Sequence, residues 1–175
     1  MSVKIGGFIP NSVGVIGEIF AASLDHLGTS DTVRALSHVL SEHYGTSSLL
    51  LYGLKNDTSL QLVESFGFSE SVQNQFRSVS LFDKLPVSDS IREGKIARFS
   101  AEGLLERYPT LSDLRLPHAS FYVAPCTSSG SPIGGFIVGF FDSKDDENLP
   151  LMVLQSLQVA AFHVLTRQPG YLEVF

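Results

Sequence analysis

Apolar residues recur at helical spacing through the first quarter of the chain. Val13, Ile16, Phe20, Leu24 and Leu27 follow at three- to four-residue steps, which predicts one helix that Asn11 or Ser12 caps and Gly28 ends. Thr29 or Ser30 then caps a second helix with Asp31 in its first turn, and Val33, Leu36, Leu40 and Tyr44 form its stripe up to Gly45. Both stripes face one common core.

The period then changes from helical to alternating. Residues 48–54 are a short apolar run, Lys55-Asn56-Asp57-Thr58 has turn chemistry, and residues 60–66 alternate from Leu60 and Leu62, so this stretch predicts a β-hairpin. A mixed region follows: a short polar helix over 69–76, an extended piece at 79–82, a helix over 87–93 beginning after Pro86 and ended by Gly94, a strand at 96–99, and a short helix over 102–108 stopped by Pro109. Such an irregular insertion, spanning 66–117, commonly carries binding function on a rigid scaffold.

The last third returns to sheet and then helix. Residues 119–124 predict a strand, 127–132 a loop of turn formers, and 133–141 the longest strand, apolar on both faces and therefore central. A charged connection over 142–147 leads into a helix over 149–167. Leu149, Met152, Val153, Leu157, Ala160 and Val164 lie on one side of it, with Leu151, Leu154, Ala161 and Leu165 flanking them. An arc that wide predicts packing on the sheet and on another helix, internal or from a second subunit. The order predicts an α+β domain: an antiparallel sheet of five to six strands, terminal helices on one face, and an irregular helical insertion over the other. Residues 1–11 are expected to form an arm, 12–168 the domain, and 169–175 a tail.

Composition narrows the function classes. The 175 residues fit one domain; only 17% are charged, while thirteen are Phe and mean hydropathy is +0.18, which predicts a buried interface or an internal pocket. A net charge of −6 and no basic cluster argue against direct nucleic-acid binding. The single cysteine, Cys126, makes no internal disulfide, consistent with a reducing cytoplasm. Neither a signal-peptide pattern nor an apolar run long enough to span a membrane is visible, so a cytoplasmic protein without membrane contact is expected.

Two stretches carry a resemblance. Pro86-Val87-Ser88-Asp89-Ser90-Ile91-Arg92-Glu93-Gly94-Lys95 is similar to the "P-x-S-x-A-x-R-x-G-x-P" stretch of GAF domains. Phe121-Tyr122-Val123-Ala124-Pro125-Cys126, a turn, and Ile133-Gly134-Gly135-Phe136-Ile137-Val138 resemble that family's strand ending in proline followed by "I-G-x-L-x-L". The resemblance runs from Ser12 to Gln168. It implies a small-molecule-sensing regulatory domain in bacterial signalling or transcription regulation, usually beside an output domain. Before the last helix the family often has a Phe with acidic residues, whereas Lys144-Asp145-Asp146-Glu147-Asn148 supplies only charges. Cys126 has no histidine beside it, unlike the cysteine of bilin-binding members. Members that reduce methionine sulfoxide use several cysteines, and the motif of cyclic-nucleotide binders is absent. Residues 165–174 are faintly like the opening of a helix-turn-helix output domain, interrupted by Pro169-Gly170.

Candidate chemistry points to binding. Ser88, Asp89, His118 and Ser120 lack a nucleophile elbow, and His38 and His43, five apart on one helix, miss metal-ligand spacing. No catalysis, metal or cofactor is therefore expected. Gly130, Gly134 and Gly135 lack the Lys-Ser or Lys-Thr of a phosphate loop and are assigned to turns and bulges. Aromatics crowd the insertion and the strands it covers, as an ordinary core or as an apolar cavity with polar handles. The expected ligand site comprises Phe82, Ile91, Arg92, Phe99, Tyr108, His118, Ser120, Tyr122 and Phe136. An unidentified small apolar or amphipathic ligand and a homodimer formed through the terminal helices are the expected partners; the alternative is a pocketless dimerisation or protein-interaction module.

Overall fold

The computed structural model describes residues 12–24, 28–45, 47–142 and 149–169. The expected arm 1–11, Leu27, residues 143–147 of the charged connection with Asn148, and the tail from Gly170 lie outside them. Helix α1 (Ser12–Leu24) and helix α2 (Thr29–Tyr44) precede the hairpin of β1 (Ser47–Asn56) and β2 (Ser59–Phe66). The insertion then supplies α3 (Glu70–Gln75), β3 (Ser78–Ser80), α4 (Pro86–Glu93), β4 (Ala97–Ser100), α5 (Ala101–Arg107) and a 3-10 helix (Pro109–Leu114). Strands β5 (Ser120–Ser128) and β6 (Ser131–Phe140) and helix α6 (Leu151–Thr166) complete the chain.

The six strands form one sheet in the order β3-β2-β1-β6-β5-β4, every neighbouring pair antiparallel. β6, expected to be central, lies between β1 and β5. Ser129 and Gly130 both have positive φ, 48° and 81°, the backbone a two-residue hairpin turn needs to match strand twist. β5 runs past the end expected at Ala124. β4 pairs only with Ser120 through Val123, so Pro125 sits where β5 has a single neighbour and its missing N–H costs no ladder bond.

Each face of the sheet carries its own apolar layer. Helices α1, α2 and α6 cover Leu49, Leu51, Tyr122, Ala124, Phe136, Val138 and Phe140. The insertion covers Leu50, Tyr52, Leu60, Phe121 and Val123. α2 is oriented by a stripe of Val33, Leu36, Leu40 and Tyr44, all buried. Its N-cap is Gly28, with no side-chain capping bond, so Thr29 and Ser30 fall inside the first turn. α6 buries both predicted stripes except Leu151 and Met152, packs on the sheet and on α1, and donates Gln158 Nε2–H to the Pro125 carbonyl at 2.8 Å.

α1 is turned differently from its predicted stripe. Val15, Ile19, Ala22 and Ser23 face the core, whereas Val13 is 73% and Leu24 57% exposed. Apolar residues lie on every side of α1, so its period selects no single face. No helix among the described residues is long and apolar enough to cross a membrane.

Candidate functional site

The lid over the second sheet face is assembled from pieces too short to fold alone, and α4 pins them. Pro86 opens α4 with its fixed φ and Gly94 closes it in the left-handed conformation. Ser88 Oγ donates to the Ser80 carbonyl at 2.8 Å, and Arg92 Nη1 donates to the carbonyls of Leu81 at 2.5 Å and Asp83 at 3.3 Å. Buried Asp89 pairs with Arg92 and accepts from the Tyr108 hydroxyl at 2.8 Å. The run Ser88 to Gly94 is thus a clip joining β3, α4 and the end of α5. Burial, and then the bond to Asp89, push the Tyr108 phenol up to about 12.

Between lid and sheet lies a hollow of about 60 Å³. Leu50, Tyr52, Val123 and Ile137 form its floor, while Val72, Phe76, Val87, Leu104, Leu111 and Leu114 are among its walls. Among the described residues, Tyr52 is the one lining residue with a polar side-chain atom, and its hydroxyl donates to the Phe76 carbonyl at 2.8 Å. A single water needs roughly 10–15 Å³ and two or more polar partners. The hollow has the room without the partners, so it holds water poorly and suits an apolar guest.

Phe68, Val72, Leu114 and Leu116 also line an open groove of about 490 Å³, completed by Gly67, Ser69, Arg115, Pro117, His118 and Phe141. A smaller recess of about 90 Å³ under α5 shares Arg115 and His118. His118 is 3% exposed and sits among the rings of Phe68, Phe121 and Phe141, at centroid distances of 4.8, 5.1 and 4.5 Å. Burial pulls its pKa down to about 4, so the ring is neutral at pH 7.

The nine residues expected at the site separate into three groups. Ile91, Phe99, Tyr108 and His118 lie on the lid side. Phe82 is 72% exposed, and Arg92 is occupied by Asp89 and two carbonyls. Tyr122 and Phe136 belong to the helix-side core, and Ser120, two residues before Tyr122, shares its side of β5. Placing Tyr122 and Phe136 beneath the lid is therefore corrected: strands alternate faces residue by residue, and Phe121, Val123 and Ile137 take the lid side. The hollow's own walls, Val87, Leu104 and Leu111, were missed. The signal for them was present in the apolar positions of the short insertion helices, which face the sheet.

Other chemistry-bearing groups are accounted for locally. Cys126 is buried, and burial pushes its thiol up to about 12. His43 pairs across helices with Glu18 at 2.5 Å, and Glu42 lies beside them. This exposed cluster ties α1 to α2, an arrangement that spacing within α2 alone does not reveal.

Neither the family models nor the curated proteins give a match to this sequence. Solved structures do. The chain is similar to the GAF domain of a phosphoenolpyruvate-protein phosphotransferase from Coxiella burnetii, with 12% identity, 91% of this chain and 94% of that one covered, and a TM-score of 0.68. The corresponding GAF domain from Acinetobacter gives 15% identity, coverage of 88% and 92%, and a TM-score of 0.67. A free methionine-R-sulfoxide reductase of Staphylococcus aureus, solved in complex with its substrate, gives 13% identity, coverage of 86% and 95%, and a TM-score of 0.60. The chain has the GAF-domain fold.

The third likeness corrects the expectation that this chain does no chemistry. Its fold hosts enzymes as well as sensors, so an enzymatic role stays open to it. A missing hydrolase motif and a cysteine count exclude only the chemistry those features encode.

Proposed function

We propose that this domain binds a small apolar or amphipathic molecule beneath its lid and passes that occupancy on as a regulatory signal in a bacterial signalling or transcription-regulatory protein of the cytoplasm. The single observation carrying the reading is the apolar-walled hollow between the insertion and the sheet. A guest there contacts α3, α4, α5 and the 3-10 helix at once. It binds the arrangement in which those pieces are closed more tightly than any open one, and so shifts the population toward closure. The similarity to a reductase solved in complex with its substrate supports a ligand-binding use of this fold.

A thermal-shift screen across a broad metabolite panel, with native mass spectrometry for trapped molecules, tests the reading. A ligand present at a hundred times its dissociation constant adds about 2.7 kcal/mol to stability. Absence of any shift and of any retained mass contradicts it.

Self-association through the terminal helices is the second reading. Leu24 on α1 and Leu151, Met152 and Val159 on α6 are apolar and exposed on neighbouring helices. Val159→Asp lowers the sedimentation coefficient if α6 forms the dimer contact, and an unchanged profile contradicts it.

A further inference from the structure

His118 is held at every point of its ring except one. Its Nε2 lies 3.0 Å from Ser48 Oγ, and Ser48 Oγ donates to the Gly67 carbonyl at 3.1 Å. Since Ser48 has one hydrogen and gives it to Gly67, the arrangement that satisfies both contacts puts the imidazole hydrogen on Nε2. Nδ1 is then a bare acceptor, and it is buried without a hydrogen-bond partner among the described residues.

The ring's orientation shows which way that acceptor looks. A side chain at Gly139 on β6 would meet Cδ2 at 2.6 Å, Cγ at 3.1 Å and Nε2 at 3.2 Å. The Cδ2–Nε2 edge therefore rests on the sheet, and the Nδ1 edge is turned toward the lid, where His118 lines the groove and the recess. Leaving a buried acceptor unpaired costs about 1–3 kcal/mol. The aromatic box, the Ser48 relay and the bare Gly139 together hold the ring in that costly state.

We infer that the ligand of this domain is a flat, mainly apolar molecule carrying one N–H or O–H donor, and that it gives this hydrogen to Nδ1 of His118. The inference rests on the reading that the space under the lid takes a small molecule, and it adds the chemistry that space selects. Phe68, Val72, Leu114 and Leu116 border both the hollow and the groove, so a ligand that parts these four side chains spans from the hollow to His118. Burial keeps the imidazole neutral at pH 7, so the ring selects a donor rather than an anion.

Indole and benzofuran have the same shape and differ in the N–H, which makes them the probes. The chain contains no tryptophan, so indole fluorescence is read against a dark background, and amide shifts of ¹⁵N-labelled protein follow both compounds. Indole is expected to bind about tenfold more tightly than benzofuran, and to move the ¹⁵N resonance of His118 Nδ1 while benzofuran leaves it in place. His118→Phe removes the preference while retaining benzofuran binding. Should that variant fail to fold, Ser48→Ala serves instead, since it frees the imidazole hydrogen to move to Nδ1 and lowers the preference for indole. Equal affinities with an unmoved Nδ1 signal overturn the inference and leave the lid reading standing. If neither compound shifts a lid amide, the inference is overturned, and the metabolite screen decides the lid reading separately.

Discussion

The two faces of this sheet are built from the same residue types and packed to different ends. On the helix face, three helices of 13 to 16 residues lay continuous stripes on the strands, and the space left among Val33, Leu36, Leu49, Phe136 and Leu157 is about 10 Å³. On the lid face, helices of 6 to 8 residues, joined by turns, leave about 60 Å³. A long helix interdigitates over several turns. Short pieces meet the sheet at a few points each and are fixed by polar clips such as Asp89–Arg92. One face supplies rigidity and the other supplies room.

Truncation on the rigid side has the largest expected effect. Phe136→Ala, deep in the helix-face core, is expected to cost about 3–5 kcal/mol of unfolding free energy, measured by urea denaturation. A cost below about 1 kcal/mol would mean that this core is not close-packed. Next in size is acid sensitivity on the lid side. An unfolded histidine takes up its proton near pH 6.5, but His118 does so near 4. Between those values the unfolded state binds more protons, so stability is full above the window and falls as pH drops through it, by on the order of 3 kcal/mol. Among the described residues, Arg115 is the charged residue lining the same groove and recess. Denaturation from pH 7 to pH 4 for wild type and His118→Phe isolates the contribution, which the variant lacks.

The faces also differ in tolerance of added volume. Val138→Leu on the helix side overpacks a full core and is expected to cost about 1–3 kcal/mol. Val87→Leu points its extra carbon into the hollow and is expected to gain about 0.5 kcal/mol while weakening any lid ligand. Equal losses from both would erase the distinction between the faces.

Much of this plan was readable before any coordinates. The switch from helical to alternating period at Gly45, the turn residues after Lys55, and Pro86 and Gly94 around α4 locate elements by local chemistry. So does the wide apolar arc of α6. Facing was harder to read. β5 and β6 are apolar on both sides, so nothing in the pattern tells Phe121 from Tyr122 or Phe136 from Ile137, and a shift of one residue moves a side chain across the sheet. α1 is apolar all round, which hid the Val15–Ile19 stripe. Partners distant in sequence were invisible altogether: Ser48 and His118 are 70 residues apart, and Gly139 matters to them only because β1, β5 and β6 are neighbours.

Xenon is the most direct probe of whether the room lies where this account puts it. The atom is apolar, makes no hydrogen bonds, and enters dry cavities of sufficient size. Under xenon pressure, the methyl and amide resonances of Leu50, Val72, Val87, Leu111 and Val123 are predicted to shift in a saturable way, while those of Val33, Leu36, Phe136 and Leu157 stay still. Shifts centred on the second group, or none at either face, would contradict the assignment of the guest site to the lid side.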